Sequence, residues 1–158
     1  MNPVKSYTAT SNAATAKASG NLETMMMVRN GLASAPPWSP IPSPYLRTIA
    51  GIDPQLIALA RWRGKFPAPL PSNWFQGRTT WTFAGDVLTW AGDSRDFRQQ
   101  LENYAEAQGL AIFHGLDRVG SVLQLETLQV ISHPVRPRWS SIGFASWLNE
   151  IKRRASLD

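Results

Sequence analysis

The hydrophobic pattern changes period most clearly between residues 79 and 131, and this stretch predicts a compact unit. Trp81 and Phe83 alternate with threonines, as expected of a half-buried strand. A second apolar run, rich in residues that favour strands, occupies residues 87–90 after a short glycine-containing segment. We therefore expect residues 79–90 to form a hairpin.

The next part of this unit predicts one helix and two further strands. Apolar residues recur at helical spacing over residues 94–108, after a Gly-Asp-Ser start and before Gly109, which is a typical helix stop. Residues 110–113 and 122–131 are apolar runs that predict strands. The second run changes face near its middle, so a continuous strand would need a bulge or a break there.

Helices are also predicted on both sides of this unit. Residues 53–63 begin with Asp53 and Pro54, which favour the first positions of a helix, and end before a glycine. Residues 141–154 place four apolar side chains at positions i, i+3, i+4 and i+7, namely Phe144, Trp147, Leu148 and Ile151. A short helix is expected over residues 21–29.

These elements predict an α+β fold in which a small antiparallel sheet is packed by two or three helices. Strands from residues 79–90 and 110–131 would form the sheet, and residues 46–158 would form a single domain. Residues 1–45 are expected to be a flexible or extended arm, because the first 22 are mainly small and polar. Five prolines between residues 35 and 44 predict a stiff, extended strap.

Composition limits the class of protein. A chain of 158 residues with 43% hydrophobic content is sufficient for a substantial core. It contains no cysteine, which excludes disulfides and thiolate metal sites, and no apolar run long enough for a membrane span. We expect no secretory signal, and a location in the cytoplasm or in a particle assembled there.

The net charge of +5 is distributed unevenly along the chain. Residues 1–82 carry eight Lys and Arg against two acids, residues 83–135 carry three against seven, and residues 136–158 carry five against two. The predicted folded centre is therefore acidic between basic flanks. This distribution suits self-association or an acidic partner at least as well as nucleic acid.

Candidate catalytic residues are sparse. His114 and His133 have no spacing typical of metal ligands, and no phosphate-binding glycine loop is present. Ser94, His114 and Asp117 could be combined as a triad, but any chain of this length offers such a trio, and the nucleophile motif is missing. We predict no enzymatic activity, no cofactor and no metal.

Aromatic and basic residues are the candidates for partner binding. Arginine with tryptophan is the usual pair at protein interfaces, and the same pair can bind phosphates and stack on unpaired bases. A solvated face or a helix C-terminus explains some of these cations equally well. The predicted partner-binding residues are Trp38, Tyr45, Arg61, Trp62, Arg63, Lys65, Trp74, Arg78, Arg136, Arg138 and Trp139.

Two partial resemblances each cover at most about a third of the chain. The order of a strand, Gly92–Ser94, a helix and then residues 120–125 resembles a LysM module of the kind found in cell-wall enzymes and phage baseplates. The helix at 96–108 followed by residues 110–113 is similar to the small modules that flank secretins. Neither resemblance includes a diagnostic residue, and no site is transferred from it.

The sequence therefore predicts a non-enzymatic structural or adaptor subunit of a larger assembly, such as a phage particle or secretion machinery. It would bind other protein subunits through its arm and its Pro/Trp-rich segments. The alternative is a basic nucleic-acid-binding accessory protein.

Overall fold

The computed structural model of the chain describes residues 22–113 and 137–156, with side chains described at 22–108 and 137–156. The fold is α+β with a small antiparallel sheet, as predicted. In the described ranges the elements are α1 (Leu22–Gly31), β1 (Pro40–Pro42), α2 (Ser43–Ala50), α3 (Pro54–Trp62), a 3₁₀ turn (Ser72–Trp74), β2 (Trp81–Phe83), α4 (Ala84–Trp90), α5 (Arg98–Phe113) and α6 (Gly143–Ala155).

The strand predicted around Trp81 and Phe83 is present as β2, but its partner in the sheet differs from the predicted one. β1 pairs with β2 in antiparallel register, with Ile41 opposite Thr82. The predicted hairpin over residues 79–90 is wrong, because the chain enters α4 directly after Phe83. The cause is a helical spacing of buried apolar side chains, which fits a helix better than a strand. These side chains are Ala84, Val87, Leu88 and Ala91.

Gly85 permits a close contact between α4 and the proline-rich stretch. Its backbone N–H donates to the Pro37 carbonyl at 3.0 Å, and a Cβ at this position would lie 3.1 Å from the Pro37 Cβ. The glycine that the sequence pattern assigns to a hairpin loop thus lies inside a helix. It serves packing rather than a turn.

The proline-rich stretch at residues 35–44 is extended only in part. A turn closes where the Ser39 N–H donates to the Pro36 carbonyl, and β1 follows. α2 then begins at Ser43, with Pro44 in its first turn, where a missing N–H costs nothing. The extended conformation that the prolines predict is therefore interrupted by this turn and by the start of α2.

α5 replaces the predicted strand at residues 110–113. The helix passes through Gly109 and ends at Phe113, so this glycine is not a stop. Glycine costs only about 1 kcal/mol relative to alanine inside a helix, which a packed helix tolerates. The similarity to secretin-flanking modules depended on a helix followed by a strand at residues 110–113, and that strand is absent. The predicted strand at 122–131 lies outside the described residues.

The helices predicted on both sides of the centre are confirmed. Asp53 caps α3, because its Oδ1 accepts a hydrogen bond from the Gln55 N–H at 2.8 Å. The predicted apolar stripe of α6 faces inward, with Trp147 and Ile151 fully buried. Gly143 begins α6 so close to the Trp74 carbonyl that a Cβ would lie 1.8 Å from its oxygen.

Two hydrophobic clusters make up the interior. The first, which we call the aliphatic core, contains Met25, Val28, Leu32, Ala35, Ile41, Leu46, Ile52, Ile57, Ala60, Phe66, Ala84, Val87, Leu88, Ala91 and Phe97. The second, which we call the aromatic core, contains Leu70, Trp74, Phe75, Trp81, Phe83, Tyr104, Trp147, Leu148 and Ile151. Trp38, Leu101, Ala105, Trp139 and Phe144 pack against the aromatic core.

The predicted arm shares the aliphatic core with the rest of the chain. Met25 and Val28 of α1 and Ile41 of β1 are buried there, although all three precede residue 46. Residues 22–45 are thus packed onto the elements that follow them. The character of residues 1–21 stays a prediction, since these residues lie outside the described part.

Candidate partner-binding surface

Three predicted partner-binding tryptophans lie in or against the aromatic core. Trp74 is buried, and Trp38 and Trp139 are half-buried. The Trp38 ring stacks on Tyr104 with centroids 4.1 Å apart. The backbone carbonyl of Trp38 accepts a hydrogen bond from Trp147 Nε1 at 2.9 Å. These side chains therefore stabilise the fold, and little of their surface is left for a partner.

Arg61 also has an internal role. Its Nε donates to the Pro67 carbonyl at 3.1 Å, and its guanidinium donates to Thr82 Oγ1. The guanidinium lies 5.0 Å from the centre of the Phe66 ring. Burial lowers the pKa of Arg61 to about 10, so the side chain remains charged at neutral pH. Arg61 thus connects α3 to β2 in the interior.

Tyr45 is half-buried and packs against the aliphatic core. Arg136 lies outside the described residues. Of the eleven predicted contact residues, the described part of the chain exposes Trp62, Arg63, Lys65, Arg78 and Arg138.

Trp62, Arg63 and Lys65 form what we call the α3 surface. Trp62 is 84% exposed, the highest value among the large hydrophobic side chains described. Its direction follows from helix geometry, because α3 buries Ile57 and Ala60, and a residue two positions after Ala60 points to the opposite side. The α3 surface is therefore produced by an ordinary amphipathic helix that ends in an outward tryptophan.

The chain turns sharply at the end of α3. Gly64 adopts φ of 72°, a left-handed conformation that glycine adopts readily, and the Lys65 N–H donates to the Ala60 carbonyl at 2.8 Å. This turn ends the helix and holds the backbone of Lys65 beside the last helical turn. Two cations and one tryptophan are thus displayed within four residues.

A depression of about 400 Å³ lies beside the α3 surface. Lys65 lines one side, and the edge-to-face pair of Phe66 and Trp90, with centroids 4.7 Å apart, provides aromatic surface. Asp86 also lines it and pairs with Arg154 at 2.9 Å. The depression offers an apolar wall next to a cation.

Chain pairing places Arg138 beside the segment that leads to Arg78. Phe75 and Trp139 form an antiparallel bridge, and the Gln76 N–H donates to the Arg138 carbonyl at 2.6 Å. The backbone at Arg138 therefore lies next to that at Gln76, two residues before Arg78.

None of these exposed cations pairs with a carboxylate in the described part of the chain. The ion pairs found there join Arg47 to Asp53, Arg95 to Asp93, Arg153 to Glu150, and Arg154 to Asp86 and Glu150. Arg153 and Arg154 of α6 thus pair with carboxylates of the same chain. Arg63, Lys65, Arg78 and Arg138 are therefore available to pair with an external group.

α1 has an exposed apolar surface, which its run of three methionines indicates in the sequence. Met25 is buried, whereas Met26 is 47% and Met27 is 44% exposed, and Leu22 is 69% exposed. Three adjacent methionines cannot all face the core of one helix, so some exposure is expected. Flexible methionines suit adaptable contacts.

Comparison with known families, with characterised proteins and with solved structures finds no significant match to this chain. No helix among the described residues is long and apolar enough to cross a membrane. The same residues contain no group of three side chains suited to a metal ion, and both histidines lie outside them.

Proposed function

We propose that the protein is a non-enzymatic structural or adaptor subunit of a larger assembly, such as a phage particle or secretion machinery. It binds a neighbouring protein subunit through the α3 surface, formed by Trp62, Arg63 and Lys65. Such an assembly would form in the cytoplasm. The observation that carries this proposal is the 84% exposure of Trp62.

An exposed tryptophan beside cations has the chemistry of an interface centre. Trp and Arg are enriched among the residues that contribute most to protein association, because a large ring can be desolvated while a cation forms a directed hydrogen bond. Arg63 and Lys65 have no carboxylate partner in the described ranges, so acidic groups on the neighbour could form ion pairs with both cations.

The adjoining depression supports the same proposal. An apolar side chain of the neighbour could pack against Phe66 and Trp90 while an acidic group binds Lys65, which lines this depression. Buried aromatic contact surrounded by a polar rim is the usual arrangement of stable protein interfaces. The predicted contacts at Trp38, Trp74 and Trp139 are not needed for this binding mode.

The test is the mass of the native complex in cells that naturally carry the protein. Size-exclusion chromatography of an extract should place the wild-type chain in a particle far larger than its own 17.5 kDa. Trp62→Ala should release most of the chain to low mass, because the interface loses its central ring. Ile142→Ala removes another exposed hydrophobic side chain, 56% exposed, and is the matched control.

Elution of the wild-type chain as a monomer would contradict an assembly role. Retention of Trp62→Ala in the particle would contradict the α3 surface as its contact. Circular dichroism of the purified variants checks that neither change alters the fold.

A second candidate function is nucleic-acid binding. Four exposed cations without carboxylate partners in the described residues, Arg63, Lys65, Arg78 and Arg138, together with an exposed tryptophan, support it. Fluorescence anisotropy of a labelled single-stranded oligonucleotide tests this candidate. Binding should weaken steeply between low and physiological salt and in the double variant Arg63→Ala/Lys65→Ala. Absence of binding at low salt would eliminate it.

A further inference from the structure

A second concave site is lined by the loop between α3 and β2 and by Trp81 of β2, and it shares no residue with the α3 surface. This cleft has a volume of about 360 Å³, at the lower end of the range for small-molecule sites. Its described lining comes from residues 69–72, 75 and 77–81. The subunit contact proposed at the α3 surface does not use it.

The interior of the cleft is apolar and aromatic. Phe75 and Trp81 stack with centroids 5.1 Å apart and an angle of 24° between their planes, and Leu70 is buried beside them. Each of these side chains belongs to the aromatic core. The cleft therefore reaches a ring surface that the fold already holds in place.

The walls have restricted freedom before any ligand arrives. Pro69 and Pro71 line the cleft, and their rings fix φ on both sides of Leu70. The Leu70 N–H donates to the Trp81 carbonyl at 2.8 Å, which ties this wall to β2. A wall of this kind loses little conformational entropy on binding.

The described lining of the cleft contains one charged side chain, the cation Arg78. Arg78 is exposed, follows Gly77 at a left-handed φ of 94°, and makes no ion pair or hydrogen bond with another described residue. Hydroxyl groups of Ser72, Thr79 and Thr80 complete the polar part of this lining, and no carboxylate is found among the described lining residues. These residues combine an aromatic floor, one cation and hydroxyl groups.

We propose that this cleft binds a small organic anion that has a planar apolar body and one carboxylate. The body would pack against Phe75 and Trp81, and the carboxylate would accept hydrogen bonds from Arg78 and from a neighbouring threonine hydroxyl. A guanidinium is well suited to a carboxylate because it donates two parallel hydrogen bonds. This proposal is independent of the α3 surface.

Phenylacetate is a suitable probe, and 2-phenylethanol is its neutral counterpart with the same ring. The full-length protein is titrated with each, and binding is followed by NMR through the indole N–H resonance of Trp81. For a ligand of this size we expect a Kd of about 1 to 10 mM. The alcohol should bind about tenfold more weakly, because it cannot form the charged hydrogen bonds.

The variant that tests the cation is Arg78→Ala, with Arg98→Ala as the matched surface control. We expect Arg78→Ala to weaken phenylacetate binding about tenfold and Arg98→Ala to change it by less than about twofold. Both side chains are exposed, so the fold should persist, and the dispersion of the NMR spectrum verifies this.

Four results would overturn the proposal. One is the absence of saturable binding at concentrations about tenfold above the expected Kd. The second is equal affinity for the acid and the alcohol. The third is binding that Arg78→Ala leaves unchanged, and the fourth is a set of resonance shifts that avoids Trp81.

Discussion

The aliphatic core and the aromatic core are built in different ways. The aliphatic core buries mainly small and branched side chains from α1 to α4, all from residues 25–97. The aromatic core joins rings from segments far apart in the chain, and the hydrogen bond from Trp147 to the Trp38 carbonyl spans 109 positions. The first core depends on helix periodicity and the second on contacts between distant segments.

The long-range contacts of the aromatic core explain why several tryptophans lie in or against it. In the aromatic core, Tyr104 packs edge-to-face on Trp147 with centroids 5.9 Å apart, and Trp139 lies 5.3 Å from Trp147. Such ring contacts have preferred geometries in addition to buried area. Tryptophans predicted to bind partners thus join α5 and α6 to the other elements of the fold. Trp62 is the exposed tryptophan.

The largest expected effect is the loss of the central ring of the aromatic core. Trp147→Ala should lower the free energy of unfolding by about 3 to 5 kcal/mol, because the ring is fully buried and bonded to Trp38. Urea unfolding followed by circular dichroism measures it. Trp147→Phe should cost less, with a loss of about 1 to 2 kcal/mol for the missing hydrogen bond. A loss below about 1 kcal/mol for Trp147→Ala would refute the central place given to this ring.

A comparable change in the aliphatic core should cost somewhat less. Ile57→Ala should lower the free energy of unfolding by about 3 kcal/mol, and Ile57→Val by about 1 kcal/mol, since Ile57 is fully buried among apolar groups. The same urea titration measures both variants. If Ile57→Val costs more than Trp147→Phe, the contrast between the two cores is incorrect.

Arg61 tests the connection between α3 and β2. Arg61→Ala should lower the free energy of unfolding by about 2 kcal/mol, because the Pro67 carbonyl and Thr82 hydroxyl lose their partner. Arg63→Ala, two positions away and exposed, should stay within about 0.5 kcal/mol of wild type in the same thermal or urea titration. Equal effects of the two variants would show that Arg61 has no internal role.

The smallest effect concerns acid stability at α6. Hydrogen bonding to Arg153, and secondarily to Arg154, lowers the pKa of Glu150 below its ordinary value of 4.5. The charged carboxylate is therefore favoured in the folded state, and its stabilisation is present above pH 4.5 and lost as pH falls through the lower folded pKa.

Glu150→Gln removes this contribution and should leave stability less dependent on pH below 4.5. The expected difference from wild type at neutral pH is less than about 1 kcal/mol, because Arg153 is exposed and solvent screens its pairing with the half-buried Glu150. Unfolding midpoints measured at several pH values test it. Parallel pH profiles for the two proteins would contradict the assignment.

Amphipathic helices were the part of the fold that sequence pattern predicted best. The cap at Asp53 and the stripe of α6 depend only on local chemistry, and both are present. The small sheet was predicted in kind, and β2 lies within a predicted strand. Its partner β1 was not predicted, because β1 lies about 40 positions earlier and no local pattern encodes that pairing. Gly85 misled the prediction, since its role is contact with Pro37.

The candidate surface was also predicted only in part, because its exposure depends on tertiary contacts that local sequence does not encode. Residue type alone cannot separate Arg61 from Arg63, yet the first is bonded internally and the second is exposed. Position along α3 does predict the exposure of Trp62, because this residue lies opposite the buried positions Ile57 and Ala60. Burial of Trp38 and Trp139 depends on α5 and α6, and that tertiary information is not contained in their own segments.

Hydroxyl-radical footprinting with mass spectrometry tests the central claim most directly, because it reports the exposure of each tryptophan in the free chain and in the native assembly. We predict that Trp62 is oxidised fastest in the free chain and is protected in the assembly, while Trp38, Trp74 and Trp139 react slowly in both. Fast oxidation of those three in the free chain, or a Trp62 that stays reactive in the assembly, would contradict the account.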